Sequence, residues 1–405
     1  MGDKSAFVGI VTKLFDITGK ALSGEWGTDD PDGCGIPVLR TTNFTNVGKV
    51  NYDNVVTRNI QKKNISDKLL KKGDIIIEKS GGTDKNPVGR VIYFEGEENK
   101  YLFNNFTGLL RVKDKNEWYP KYVFYSMFAY YKRGGTRRFE NKTTGLHNLK
   151  LDDYIKRLDI QKASYVDQVH VCKLLDCVRL QIDNMERELE LLDELVKARF
   201  VEMFGDPEDN PFKWDKMPLS NIMLNANNGM ARRGNDENGN IVLRLVELQD
   251  GYINYSNPNR ICLNENEKKR YLLKNNDFLF ARVNGNPDNV GRCAVFHDIG
   301  EDVYHNDHII RVHFNEELLN GVFASELINS NFGKRQLKKR IKTSAGQYTV
   351  SQDGIGAIVS IVPPLELQNQ FASFVKEIDK SRSRIQKSLE ASQELFDSLM
   401  KEYFC

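Results

Sequence analysis

No apolar run in this sequence approaches the ~18 residues of a membrane span, and its first residues show no secretory pattern. No membrane association is expected, and triplets such as Asn105-Phe106-Thr107 read as chance matches to a glycosylation acceptor. Cysteine is sparse as well. Cys34, Cys172, Cys177, Cys262, Cys293 and Cys405 form no Cys-X-X-Cys pair and no regular framework. That pattern points to reduced thiols in a cytoplasmic protein. His305 and His308, in "HNDHIIRV", have no second ligand cluster to accompany them, so the stretch reads as the entry to a strand and no metal is expected. Charge of one sign is also missing. Lys and Arg number 58 against 56 Asp and Glu, a net +2, so any case for an anionic partner has to be local.

Enzyme signatures are missing too. There is no G-x-x-x-x-G-K-[ST] loop for a nucleoside triphosphate, no glycine-rich dinucleotide fingerprint, no nucleophile elbow and no H-E-x-x-H. An adenine amino-methyltransferase would show an Asn-Pro-Pro-aromatic stretch. The nearest string, "DNPF" (Asp209–Phe212), lacks the second proline. Catalysis in this chain is not expected.

What the chain does have is a repeat. Sliding the sequence against itself aligns Gln168–Phe204 with Gln368–Phe404 without a gap. Apolar residues recur in the first segment at Val171, Leu175, Val178, Ile182, Met185, Leu189, Leu192 and Val196, in alternating steps of four and three. This is the heptad of a coiled-coil seam. The second segment keeps Phe371, Val375, Ile378, Ile385, Leu389, Phe396, Leu399 and Tyr403 in register, but puts Arg382 and Ser392 on the seam. Neither segment contains proline or glycine, and each predicts a rod of ~55 Å. Two narrow stripes of matched length would most simply bury each other.

The sequence between the rods repeats more loosely. Val38-Leu39-Arg40 matches Val242-Leu243-Arg244, "NPVGRVIYF" matches "DNVGRCAVF", "LLRV" parallels "IIRV", and "KTTGLHNL" parallels "KTSAGQYTV". The chain therefore reads as a tandem duplication. In the first copy "DIIIE", "RVIYFE" and "YLFNNFTGLLRV" predict strands and "KYVFYSMFAYYKRGG" a helix. In the second, "DFLFARV", "RCAVFHD" and "HIIRVHF" predict strands, and "NGVFASELINSNFGKRQLKKR" a single helical stretch. The expected fold class is mixed α/β (α+β): two tandem domains with strongly bent sheets, over residues 1–160 and 206–362. Each is followed by a long helix, over 161–205 and 363–405. The prolines of "GDPEDNPFKW" end the first helix.

Against the neutral total, two segments are basic. The first carries Lys132, Arg133, Arg137, Arg138 and Lys142, then Thr143 and Thr144, with aromatic residues interleaved. The second carries Lys334, Arg335, Lys338, Lys339, Arg340 and Lys342, then Thr343, Ser344, Gln347 and Tyr348. One basic helix end is commonly just a solvated face. Two at equivalent places in a duplicated domain point to phosphate neutralisation. A loop pair follows the matched strands and holds Lys79, Ser80, Thr83, Lys85 and Arg90 in the first copy, Arg282, Asn284, Asn286 and Arg292 in the second. Such residues have the donors and acceptors that base edges require, although an ordinary strand connection would look alike. Arg40 and Arg244, which close the matched triplets, complete the candidate contacts.

This arrangement resembles the specificity subunit of type I restriction-modification enzymes. The resemblance covers essentially the whole chain and is most specific at "ELVKARFVEMFGDPEDNPFKW", at "KTSAGQYTV" followed by "IVPPLELQNQF", and in the spaced duplication. It implies a subunit with no catalysis and no cofactor of its own, whose two target-recognition domains read the halves of a split double-stranded DNA site. It implies that the helices pair as an antiparallel coiled coil that sets the unread spacer. It also implies two methyltransferase subunits docked there and translocase-nuclease subunits joining through them, with S-adenosylmethionine, ATP and Mg in those partners. The first copy departs from the pattern at "LDIQKASYVDQ", which lacks the proline pair of "IVPPLELQNQ". Two other readings stay open at this point: a single-chain restriction-modification enzyme, and a coiled-coil scaffold whose basic patches hold acidic proteins.

Overall fold

The structure is a computed structural model that describes residues 10–61, 64–84, 86–143, 146–344 and 346–405. The chain forms two compact units. One comprises Met1–Met185 together with Ser388–Cys405, the other Glu186–Lys387. Each therefore contains a globular part and portions of both long helices, a different division from one domain followed by one helix.

In the first unit the central strand is Ile75–Glu78, paired antiparallel with Thr107–Leu110 on one side and Val91–Tyr93 on the other. Successive strand residues point to opposite faces. Ile75 and Ile77 enter a core with Val123 and Met127 of the helix Pro120–Lys132, while Ile76 enters another with Leu39, Ile92, Phe94 and Leu109. A strand buried on both faces can be apolar at every position, which is why "DIIIE" shows no alternation. A second sheet pairs Ile36–Leu39 with Val56–Asn59 and, in parallel, with Leu102–Phe103.

The second unit repeats this plan. Phe278–Ala281 lies between Ile309–Phe314 and Cys293–Val295, with Phe278 and Phe280 in one core and Leu279 in another. Asn240–Leu243 pairs in parallel with Val303–His305. The tandem mixed α/β organisation is thus present, although the sheet of Ile36–Leu39 has four strands and that of Asn240–Leu243 three. Where one bent sheet was expected, each unit has several small sheets.

Two expected elements are interrupted. "YLFNNFTGLLRV" is two strands in two sheets, separated by a turn at Asn104–Thr107. "NGVFASELINSNFGKRQLKKR" is two helices, Gly321–Asn329 and Asn331–Lys338. Ser330 adopts extended backbone between them and its Oγ accepts the Gly333 N–H.

The long helices are Tyr165–Phe204 and Leu365–Phe404, 40 residues each. In the second unit they run antiparallel, because Phe204 meets Phe371 while Asp193, earlier on one helix, pairs with Arg382, later on the other. In the first unit the Arg179 guanidinium lies 4.2 Å from the centre of the Phe396 ring, and Val171, Leu175, Val178 and Ile182 share a core with Phe396 and Met400. Leu389, Leu399 and Tyr403 pack at its edge, as Val375 and Ile378 do on the second core beside buried Val196 and Phe371. Met185, Leu189, Leu192 and Ile385 are half-buried. Arg382, polar on the seam, is held by Asp193 and Asp379. Gly205, at φ 74°, ends the first helix in the left-handed region that favours glycine, and the Trp214 indole N–H donates to the carbonyl of Phe204.

Each helix enters its unit through a buried glutamine. Gln168 accepts the Tyr119 N–H (2.8 Å) and donates to the carbonyls of Glu117 and Ala163 (3.1 and 3.0 Å). Gln368 accepts the Asn320 N–H (2.8 Å) and donates to Leu318 and Pro363 (3.1 and 2.7 Å). Where the second copy has Pro364, the first has Ser164, whose Oγ accepts the Asp167 N–H. A serine cap thus stands in for the missing prolines.

Candidate nucleic-acid interface

Strand pairing joins segments that lie far apart in sequence. In the second unit Val283–Asn284 pairs with Gln347–Thr349, which pairs with Lys342–Ser344. In the first, Ser80–Gly82 pairs with Leu146–Leu149, which pairs with Glu140–Thr143. The loop candidates and the turns after the basic segments therefore share one three-stranded sheet in each unit. Polar links reinforce the junction: Asp250 holds Arg292 at 3.0 Å and Lys334 at 2.9 Å in salt bridges, while Arg137 donates two hydrogen bonds to the Asp84 backbone carbonyl at 3.2 Å.

The basic residues differ in what they have left to offer. Lys132, Arg133, Arg137 and Arg138 are exposed. Lys132 lies over Phe128, Arg133 over Tyr130 and Arg138 over Phe139, so aromatic faces steady the cations without neutralising them. Lys338, Lys339 and Lys342 are exposed as well. Arg335 pairs with Glu208. Arg340 is committed to structure, donating to the carbonyls of Gln336 and Ala357 at 2.6 Å.

Other candidates are engaged to different degrees by hydrogen bonds within the protein. Arg90 forms a two-pronged pair with the buried Glu78 carboxylate at 2.9 and 3.1 Å, and that hydrogen bonding holds its guanidinium pKa above the usual value. Arg244 is paired with buried Glu247, and Arg40 donates to the Asn54 carbonyl. Burial pushes the Lys79 ammonium pKa down, with Lys68 adding to the effect, and its Nζ reaches the Ser23 hydroxyl at 3.3 Å. Thr83 Oγ1 accepts the Asn86 N–H, and Ser80 is half-buried. Arg282 donates to the Asp307 carbonyl, and Asn284 and Asn286 each accept a backbone N–H within their loop. Thr343 and Gln347 are exposed and Tyr348 is half-buried. Lys85 and Thr144 lie outside the described residues, as do the side chains of Lys142, Thr143 and Ser344.

Sequence reading passed over Arg233. Its guanidinium donates to Asp307 (2.7 Å) and faces His308 Nε2 (3.1 Å), beside Arg282. His305 is fully buried with Nδ1 against the Tyr271 carbonyl, so it and His308 share no ligand direction. Among the described residues no group of three or more His, Cys, Asp or Glu could hold a metal, and no helix is long and apolar enough to cross a membrane.

Known proteins of similar sequence bear on this geometry. The type I restriction enzyme StySPI specificity subunit of Salmonella potsdam is 24% identical over 393 residues, 91% of this chain and 81% of that protein. The EcoKI specificity subunit of Escherichia coli K12 is 22% identical over 397 residues, 91% of this chain and 82% of that protein. The chain is similar over most of its length to type I restriction specificity subunits. Its fold agrees with theirs: the S subunit of a type I restriction-modification system from M. genitalium aligns over 100% of this chain and 98% of its own, with a TM-score of 0.62 at 15% identity. A chain from a structural study of assembly and conformational transition in the type I system aligns over 98% and 97%, with a TM-score of 0.52 at 11% identity. No protein-family model matches the sequence.

Proposed function

We propose that this chain is the DNA sequence-specificity subunit of a type I restriction-modification complex, without catalysis of its own. The target-recognition domains, residues 1–160 and 206–362, each read one half of a bipartite double-stranded site. The paired helices set the unread spacer and dock two methyltransferase subunits, through which translocase-nuclease subunits join. S-adenosylmethionine, ATP and Mg belong to those partners, and the complex works in the cytoplasm.

The observation that carries this reading is the similarity to specificity subunits over 91% of this chain, combined with a duplicated three-stranded sheet that gathers loop donors and basic segments. Exposed Lys132, Arg133, Arg138, Lys338, Lys339 and Lys342 are suited to phosphates. Asn284, Asn286, Gln347 and Thr83 are suited to base edges. The internally paired Arg90, Arg244 and Arg340 act instead by holding the loops in shape.

The test is methylation sequencing of naive host DNA carrying this chain with a cognate methyltransferase subunit. A split motif with a fixed spacer, modified on adenine in both halves, is the expected result. A soluble, intact complex that methylates nothing would overturn the reading and favour the scaffold.

A further inference from the structure

A rigid turn occupies the same place in each unit. Thr107 N–H donates to the Asn104 carbonyl (3.1 Å), and Ile309 N–H to that of Asn306 (3.0 Å). Asn104 and Asn306 are buried, and their N–H groups are tied to Leu39 and Leu243 at 2.9 and 3.0 Å. Glycine passes beside both turns: a Cβ on Gly24 would lie 2.0 Å from the Asn104 carbonyl oxygen, and one on Gly229 2.2 Å from that of His305. Only glycine lets the backbone approach this closely.

The third residue of the turn is Phe106 in the first unit, 52% exposed, and half-buried His308 in the second. Its carbonyl accepts the N–H of the residue that opens the candidate loop, Lys79 (2.8 Å) or Arg282 (2.7 Å). The two side chains therefore stand at one architectural point, beside the sheet that carries the other candidate contacts.

Their chemistry differs. Phe106 offers only an apolar ring. His308 Nε2 faces Arg233 Nη2 at 3.1 Å, and a guanidinium can only donate. Nε2 therefore accepts and the ring proton is on Nδ1, leaving an N–H donor for a ligand.

We propose that Phe106 and His308 are base-reading residues, one for each half-site. Phe106 packs on a thymine methyl in the half read by the first unit. The Nδ1–H of His308 donates to a purine N7 in the half read by the second. Both contacts lie in the major groove, where the methyl and N7 are displayed. The inference rests on the proposed function and adds the base chemistry of one position in each half.

Methylation sequencing with Phe106→Ser and His308→Ala complexes tests it, each checked for folding by thermal melting. Phe106→Ser is expected to relax discrimination about tenfold at one thymine position in one half-site, leaving the other half and the spacer intact. His308→Ala should do the same at one purine position in the other half. Unchanged motifs in both folded variants would overturn the proposal while leaving the specificity-subunit reading in place. Uniform loss at all sequences would overturn it too, by making these residues positioning groups. A wild-type complex with no bipartite motif would overturn both readings.

Discussion

The two units are built on one plan and diverge in a patterned way. Retained in both are a buried aspartate bonded to a backbone N–H and an arginine beside it. Asp74 holds Arg111 at 2.6 Å and Asp277 lies 3.8 Å from Arg311, each aspartate also accepting an N–H from the turn before its strand. The glutamine clamps and the Asn turns are retained as well. Differences include Phe106 against His308, Lys79 against Arg282, and one helix against two. Two copies in one chain thus separate what the scaffold needs from what it merely carries. The glutamine clamps, the Asn turns and the aspartate–arginine pairs, all tied to backbone groups, are shared by the two copies, whereas Phe106 and His308 are not.

The largest effect expected from disturbing this comparison is at the clamps. Gln168→Leu or Gln368→Leu leaves one N–H and two carbonyls unpaired in the interior, a loss of about 3 kcal/mol. Chemical denaturation should show similar losses for the two variants. A large loss from only one would mean that the duplicated geometry is not energetically equivalent.

A somewhat smaller effect tests a difference between the units. His305 occupies the position held by Phe103 in the first, both pairing in parallel with the Val-Leu strand. Burial, with Arg311 adding, pushes the His305 pKa down to about 3. The unfolded chain therefore binds the proton first as pH falls. Stability from this group is full above the ordinary histidine range and is lost as pH drops from about 6.5 toward 3. Between pH 7 and pH 5 the second unit should lose about 2 kcal/mol that the first does not. Peptide-level hydrogen exchange would reveal it, and His305→Phe should remove the asymmetry. Equal acid sensitivity in both units would contradict the assignment.

The smallest expected effect sharpens the division among the cations. Lys338→Gln with Lys339→Gln should weaken DNA binding for every sequence and lower the salt slope by about one per lysine, without loss of stability. Arg340→Gln should instead destabilise the segment it braces, since its donors end on Gln336 and Ala357. Binding titrations at several salt concentrations, paired with melting curves, distinguish the two. A salt slope unchanged by the lysine pair would remove them from the phosphate contacts.

These distinctions also mark what could be read from sequence. The long helices were legible because a step of four and three is a local pattern, and because Gly205 and the prolines after it announce the stop. Several strand segments of each copy were legible because duplication let one copy explain the other. The break at Asn104 was not, since its N–H is tied to the distant Leu39 carbonyl, while the one at Ser330 rests on a local cap to Gly333 that the apolar pattern on either side masked. The same holds for the charges. Nothing near Arg90 in sequence says that Glu78 lies within 2.9 Å, or that Arg340 would be used up on two carbonyls. The meeting of residues 283–284 with 347–349 is likewise a matter of strand pairing, beyond the reach of composition or spacing.

The division of the long helices has a consequence for biosynthesis. Ser388–Cys405 completes the core of the unit that Met1–Met185 begins, supplying Phe396 and Met400 to its interior. The second unit is one continuous stretch of chain, whereas the first is interrupted by it. On the ribosome the first unit must wait, with Val171, Leu175 and Val178 uncovered, until the whole of the second has been made. Order of synthesis and order of completion are therefore reversed: the part translated first is the part finished last.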